Sequence, residues 1–247
     1  MTALMRSTVT NIAWFGTGTA LTAIGLALWA GLGGGYVVLA CAIYAAMTAF
    51  TLRHLEDHHP RATFGRANQV TLFRVGLIAL VGGTLAVVAP PPWLQWLSVS
   101  VASVALALDG VDGLLARRRG SATRLGARFD LEVDAALILL LAALAWQTGK
   151  VGAWVLLIGL WRYVFVLAGV VFPKLRGPLG PALWRKAVCV LQIVSLLFVL
   201  LPVSGAIAAS TVAAIALAAL TASFAYDAWR MTTAGDVPFA AGNVTKP

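Results

Sequence analysis

At 247 residues, 60% hydrophobic and only 11% charged, the chain is too apolar for a soluble globular domain. Its mean hydropathy of +0.89 defines a polytopic membrane protein instead. The formal net charge of +9 is spread over short interhelical loops. Loop topology and anionic lipid headgroups account for that charge, which excludes a nucleic-acid-binding surface.

Apolar runs fall at 10–31, 35–52, 69–89, 94–115, 127–147, 151–172, 187–202 and 205–226. They predict an all-α bundle of eight spans. The first run is long and lacks a small-x-small cleavage site, so it reads as a retained helix rather than a signal peptide. Cys41 and Cys189 stand alone inside apolar runs and make no disulfide or metal motif. His54 and His58 lack a third ligand of matching phase, and Pro60 ends their segment, so His54-Leu55-Glu56-Asp57-His58 reads as a solvated link. The tail from Thr232 reads as a short cytosolic end.

Basic residues orient the bundle. Arg6, then Arg53, Arg61 and Arg66, then Arg117, Arg118, Arg119 and Arg124 fall on one side. Lys174, Arg176, Arg185, Lys186, Arg230 and Lys246 join them, and among loop residues only Lys150 falls opposite. The positive-inside rule then puts both termini in the cytoplasm, with an inner bacterial membrane as the expected location.

Four aspartates stand at the cytosolic ends of the fourth and fifth spans: Asp109-x2-Asp112-Gly113-x2-Ala116-Arg117, then Gly126-x3-Asp130-x3-Asp134. Carboxylates are costly in a bilayer and are kept there for function. Residues three and four apart share a helical face, so Asp109 and Asp112 form one stripe and Asp130 and Asp134 another. The short link from Arg118 to Thr123 predicts an antiparallel hairpin with facing stripes. Four converging carboxylates demand a cation, and hard oxygen ligands without a nearby Cys favour Mg²⁺ or Mn²⁺. Gly113, Ala116 and Gly126 add little bulk and leave room for a ligand.

The stretch resembles the signature of the CDP-alcohol phosphotransferase family, matching all eight fixed positions and every gap. Weaker resemblance runs from Asn68 to Arg230. Within it, Asn68-x2-Thr71-x2-Arg74 is similar to the opening of the family's first helix. Lys186-x5-Gln192 is similar to a stretch of phosphatidylglycerophosphate synthases. The resemblance implies a six-helix catalytic domain over 61–231, preceded by two additional transmembrane helices in 1–60 and followed by a cytosolic tail, 232–247.

It further implies that a CDP-linked lipid, most often CDP-diacylglycerol, donates its phosphatidyl group to an alcohol acceptor with release of CMP. Asp109, Asp112, Asp130 and Asp134 are the expected metal ligands. Two ions about 3.5–4 Å apart would stabilise the transferring group and the leaving phosphate. By resemblance Asp134 is also the general base. Gly113, Ala116, Arg117 and Gly126 are the expected nucleotide contacts, with the Arg117 fork suited to phosphate oxygens. Arg162, Arg185 and Lys186 are candidate acceptor contacts, pointing to a phosphorylated alcohol such as glycerol 3-phosphate or inositol phosphate. The resemblance also implies a homodimer. Two rival readings are a membrane prenyltransferase, whose aspartate motifs lie farther apart, and a cation transporter, which does not call for the Gly-Ala-Arg pattern.

Overall fold

A computed structural model describes residues 3–55, 63–118, 124–172 and 183–233. Among the described residues eight α-helices follow one another: α1 (Ala3–Ala30), α2 (Gly34–Arg53), α3 (Arg66–Gly83), α4 (Pro92–Arg118), α5 (Arg124–Gln147), α6 (Leu156–Val171), α7 (Leu183–Leu200) and α8 (Ala206–Thr233). Single 3₁₀ turns at Thr84–Ala86 and Ala153–Val155 complete the regular structure of the described residues, which hold no strand. Each expected apolar run has become a helix. The link beyond Leu55, the turn at 119–123, the segment 173–182 and the tail after Thr233 lie outside the described residues.

Local chemistry sets the ends. Gly31 closes α1 at φ 65°, a left-handed conformation that costs glycine little. The amide of Leu32 then donates to the Ala27 carbonyl, capping the last turn. Pro92 opens α4, where a missing N–H costs nothing. Gly149 at φ 71° ends α5 in the same way as Gly31.

Among the described residues five helical stretches are long and apolar enough to cross a membrane: Ala3–Ala30, Gly34–Arg53, Arg66–Ala86, Pro92–Gly110 and Ala206–Met231. The remaining three helices carry more charge or are shorter; α6, with 16 residues, is about 24 Å long. Arg162 in α6 and Arg185 and Lys186 in α7 are among those charges. Large apolar side chains such as Trp14, Leu21, Leu28 and Trp29 face outward, as lipid-facing positions must.

α3 is the centre of the bundle. Its apolar window is 61% buried, against 11–28% for the other four candidate spans. It packs against α1, α2, α4 and α5, while α5 in turn packs against α6 and α7. Among the described residues α4 and α5 do not pack extensively on each other. The aspartates of the two helices nonetheless converge as expected, with α3 laid against both helices. Small residues let other helices close in on α3: Gly76 faces Thr19 of α1, Gly83 faces Tyr36 and Ala40 of α2, and Gly82 faces Ile43 of α2 and Leu140 of α5.

α1 and α2 share that core. Phe15 meets Phe73 with ring centroids 6.3 Å apart, and the Tyr44 hydroxyl donates to the Ile12 carbonyl at 2.9 Å. A Cβ on Gly76 would stand 2.6 Å from Thr19 Oγ1, and one on Gly82 would stand 2.5 Å from Ile43 Cδ1. The opposite end of the bundle holds Lys150. Its ammonium donates to the carbonyls of Val199 and Leu201 and to Ser204 Oγ, capping the C-terminus of α7. Burial holds its pKa below the ordinary lysine value.

Candidate active site

Asp109 lies on α4 and is buried. Asp130 and Asp134 lie one turn apart on α5, each partly exposed. One carboxylate oxygen from each comes within 4.8 Å of the other two. At that separation each pair repels by about 3–4 kcal/mol at an effective dielectric near 20. Such a cluster needs cations.

The cation within the fold is Arg74, projected from α3, and its side chain is fully buried. Nη1 lies 2.6 Å from Asp130 Oδ1 and 3.2 Å from Asp109 Oδ1. Nη2 donates to Asp134 Oδ1 at 2.6 Å, and Nε donates to the Ala105 carbonyl at 3.0 Å. One planar fork thus touches all three carboxylates and the backbone of α4. The local sequence explains the aim. Asn68, Thr71 and Arg74, spaced by three, line the buried side of α3. Asn68 Nδ2 donates to the Phe64 carbonyl just before the helix and Thr71 Oγ1 to the Ala67 carbonyl, while Arg74 reaches across to α4 and α5.

Among the described residues, three carboxylates against the one guanidinium that bridges them leave a formal charge of −2. Lys186 on α7 adds a more distant cation, with Nζ 3.7 Å from Asp109 Oδ2 and a side chain 57% exposed. The donor set is all oxygen and still anionic. Oxygens around one small divalent ion lie roughly 3–4 Å apart, so the three aspartates fit such an ion with small adjustments.

α4 runs through Asp112, Gly113, Ala116 and Arg117, but their side chains lie outside the described residues. Gly126 sits one turn before Asp130 on α5, on the aspartate face. The three acceptor candidates separate. Lys186 faces the cluster. Arg162 instead pairs with Glu132 at 2.5 Å. Glu132 is two residues from both Asp130 and Asp134, about 200° around the helix, so this pair sits on another side of α5. Arg185 faces Asp227 of α8, with Nη1 3.3 Å from Oδ1. Arg74 and Asp227 are not among the site residues that the sequence pattern predicts. The signal for Arg74 was present: an arginine inside an apolar run, in phase with Asn68 and Thr71.

Residues 64–225 match the family model for CDP-alcohol phosphatidyltransferase. The match takes in α3 through most of α8 and every residue of the aspartate cluster, and leaves α1 and α2 outside. No curated protein and no solved structure matches the chain. With more than half its length inside that match, and with the aspartates of α4 and α5 converging as described, the chain belongs to the CDP-alcohol phosphatidyltransferase family.

Proposed function

We propose that the protein transfers a phosphatidyl group from CDP-diacylglycerol to an alcohol hydroxyl, releasing CMP, in phospholipid biosynthesis. The convergence of Asp109, Asp130 and Asp134 within 4.8 Å, inside a matched family region, carries the proposal. These residues, with Asp112 beside them on α4, would hold Mg²⁺ or Mn²⁺. When bound, the metal would supply charge stabilisation to the transferring phosphate and to the departing CMP phosphate.

The chain's own residues have distinct tasks in this reading. Asp134 accepts the proton of the attacking hydroxyl. The oxygen so activated forms a bond to the lipid-side phosphorus, and the P–O bond to CMP breaks with its electron pair leaving on CMP. Arg74 holds Asp134 Oδ1, which fixes the orientation of the base. Gly113, Ala116 and Gly126 let the nucleotide approach the helices closely, and Arg117 contacts its phosphates. Lys186, exposed beside Asp109, is the acceptor candidate best placed to meet an anionic alcohol. Arg162 and Arg185 would have to leave Glu132 and Asp227 to do the same. The basic residues of the neighbouring loops support a cluster that faces the cytoplasm, by the positive-inside rule.

Purified protein in Mg²⁺ should release CMP from CDP-diacylglycerol only when a suitable alcohol is present. A panel containing glycerol 3-phosphate, inositol phosphate, inositol and serine identifies the acceptor. Chelation should stop the reaction, and Mg²⁺ or Mn²⁺ should restore it. No CMP with any acceptor, from folded metal-loaded protein, would overturn this assignment of the donor.

A further inference from the structure

The position of Arg74 is unusual for a site that binds a cation. Its guanidinium lies among the same three carboxylates that would hold the divalent ion, with Nη1 shared between Asp109 and Asp130 and Nη2 on Asp134. It cannot swing away freely, because Nε is tied to the Ala105 carbonyl and the side chain is fully buried. We infer that Arg74 is a resident counter-cation of the aspartate cluster: it keeps the metal-free site assembled, and its charge is traded against the affinity for the divalent ion. The inference rests on the metal-site reading above.

The physical case has two parts. Without a metal, Asp109 on α4 and Asp130 and Asp134 on α5 repel one another, and α4 and α5 have little direct packing to resist it. Arg74 projects from the helix between them and bridges both sides, so it supplies the attraction that direct packing does not. With a metal bound, that same positive charge, itself fully buried, stands beside a second cation, and like charges repel. Removing the arginine should therefore weaken the metal-free protein and tighten metal binding together. A residue serving only to brace the helices would weaken both states alike. A residue serving only to aim the ligands would loosen metal binding when lost.

The test compares wild type, Arg74→Met and Arg74→Lys, purified in detergent with Mn²⁺ and then stripped by chelator. Free Mn²⁺ is followed by electron paramagnetic resonance during titration, and Tm is measured with and without Mn²⁺. Arg74→Met should bind Mn²⁺ at least tenfold more tightly than wild type and gain more Tm on adding it. Arg74→Lys keeps the charge but loses the fork, so its Mn²⁺ affinity should stay near wild type while its metal-free Tm falls. Collapse of Arg74→Met on stripping, with the loaded sample intact, would also support the inference. Equal loss of Tm with and without Mn²⁺, or unchanged or weaker Mn²⁺ binding in Arg74→Met, would overturn it while leaving the metal site standing. No Mn²⁺ binding by any of the three proteins would overturn the metal site and the counter-cation with it.

Discussion

Lys186 Nζ stands 3.7 Å from Asp109 Oδ2, whereas its chain neighbour Arg185 faces Asp227 on α8. Two adjacent basic residues at the start of α7 thus serve different partners, and their substitutions should have different consequences.

Lys186→Met should raise KM for a phosphorylated acceptor by tenfold or more and leave KM for the CDP-linked donor nearly unchanged. An exposed ion pair adds little stability, so Tm should stay within the error of wild type. Steady-state kinetics with donor and acceptor varied separately give the answer. An unchanged acceptor KM would remove Lys186 from the acceptor site.

Arg185→Ala should act on stability instead. Asp227 is 3% exposed, so losing its partner leaves a carboxylate with poor access to water. The cost should be about 1–3 kcal/mol, below that of a fully buried pair because Arg185 is itself partly exposed. A double-mutant cycle with Asp227→Asn should return a coupling energy of the same sign, read from denaturation midpoints. A normal Tm with a raised acceptor KM would reassign Arg185 to substrate binding.

Asp134→Asn should keep the fold and lower kcat by about 10²–10⁴, the usual contribution of a positioned acid or base. The amide oxygen can still accept from Arg74, so the pairing that orients the side chain survives. CMP release under saturating substrates measures the loss, and circular dichroism checks the fold. Wild-type turnover would exclude Asp134 as the base.

Gly159→Val should destabilise the contact between α5 and α6. A Cβ at this position would come 2.6 Å from the Leu139 Cα, which is backbone and cannot rotate aside. Overpacking of this kind typically costs about 1–3 kcal/mol. Thermal melting in detergent should show it, and an unchanged midpoint would mean that α6 can shift without cost.

Much of this arrangement was legible in the residues. Apolar runs gave eight helices, because each run is long enough to be satisfied only as a helix in lipid. The three-and-four spacing of Asp130 and Asp134 gave a shared face, and Asp109 does meet them. What spacing could not give was the pairing of charges. Arg74, Arg162 and Arg185 all sit in or beside apolar runs with carboxylates on neighbouring helices. Which arginine meets which acid depends on the order in which helices pack side by side. The short link at Arg118–Thr123 pointed to the convergence of the α4 and α5 aspartates, but not to α3 as the helix packed against both. Asp227 looked like an ordinary residue near a helix end, because nothing local reveals that α7 will bury it.

The wall that α1 and α2 build against α3 bears on the order in which the protein is made. A helix carrying Asn68, Thr71 and a fully buried arginine is a poor solute for lipid when it first leaves the translocation machinery. Synthesis runs from the N-terminus, so Phe15, Thr19, Ile43 and Tyr44 are in the membrane before Arg74 arrives. The first two helices therefore offer α3 a protein surface at its moment of entry, when the aspartates that will neutralise its arginine have not yet been translated.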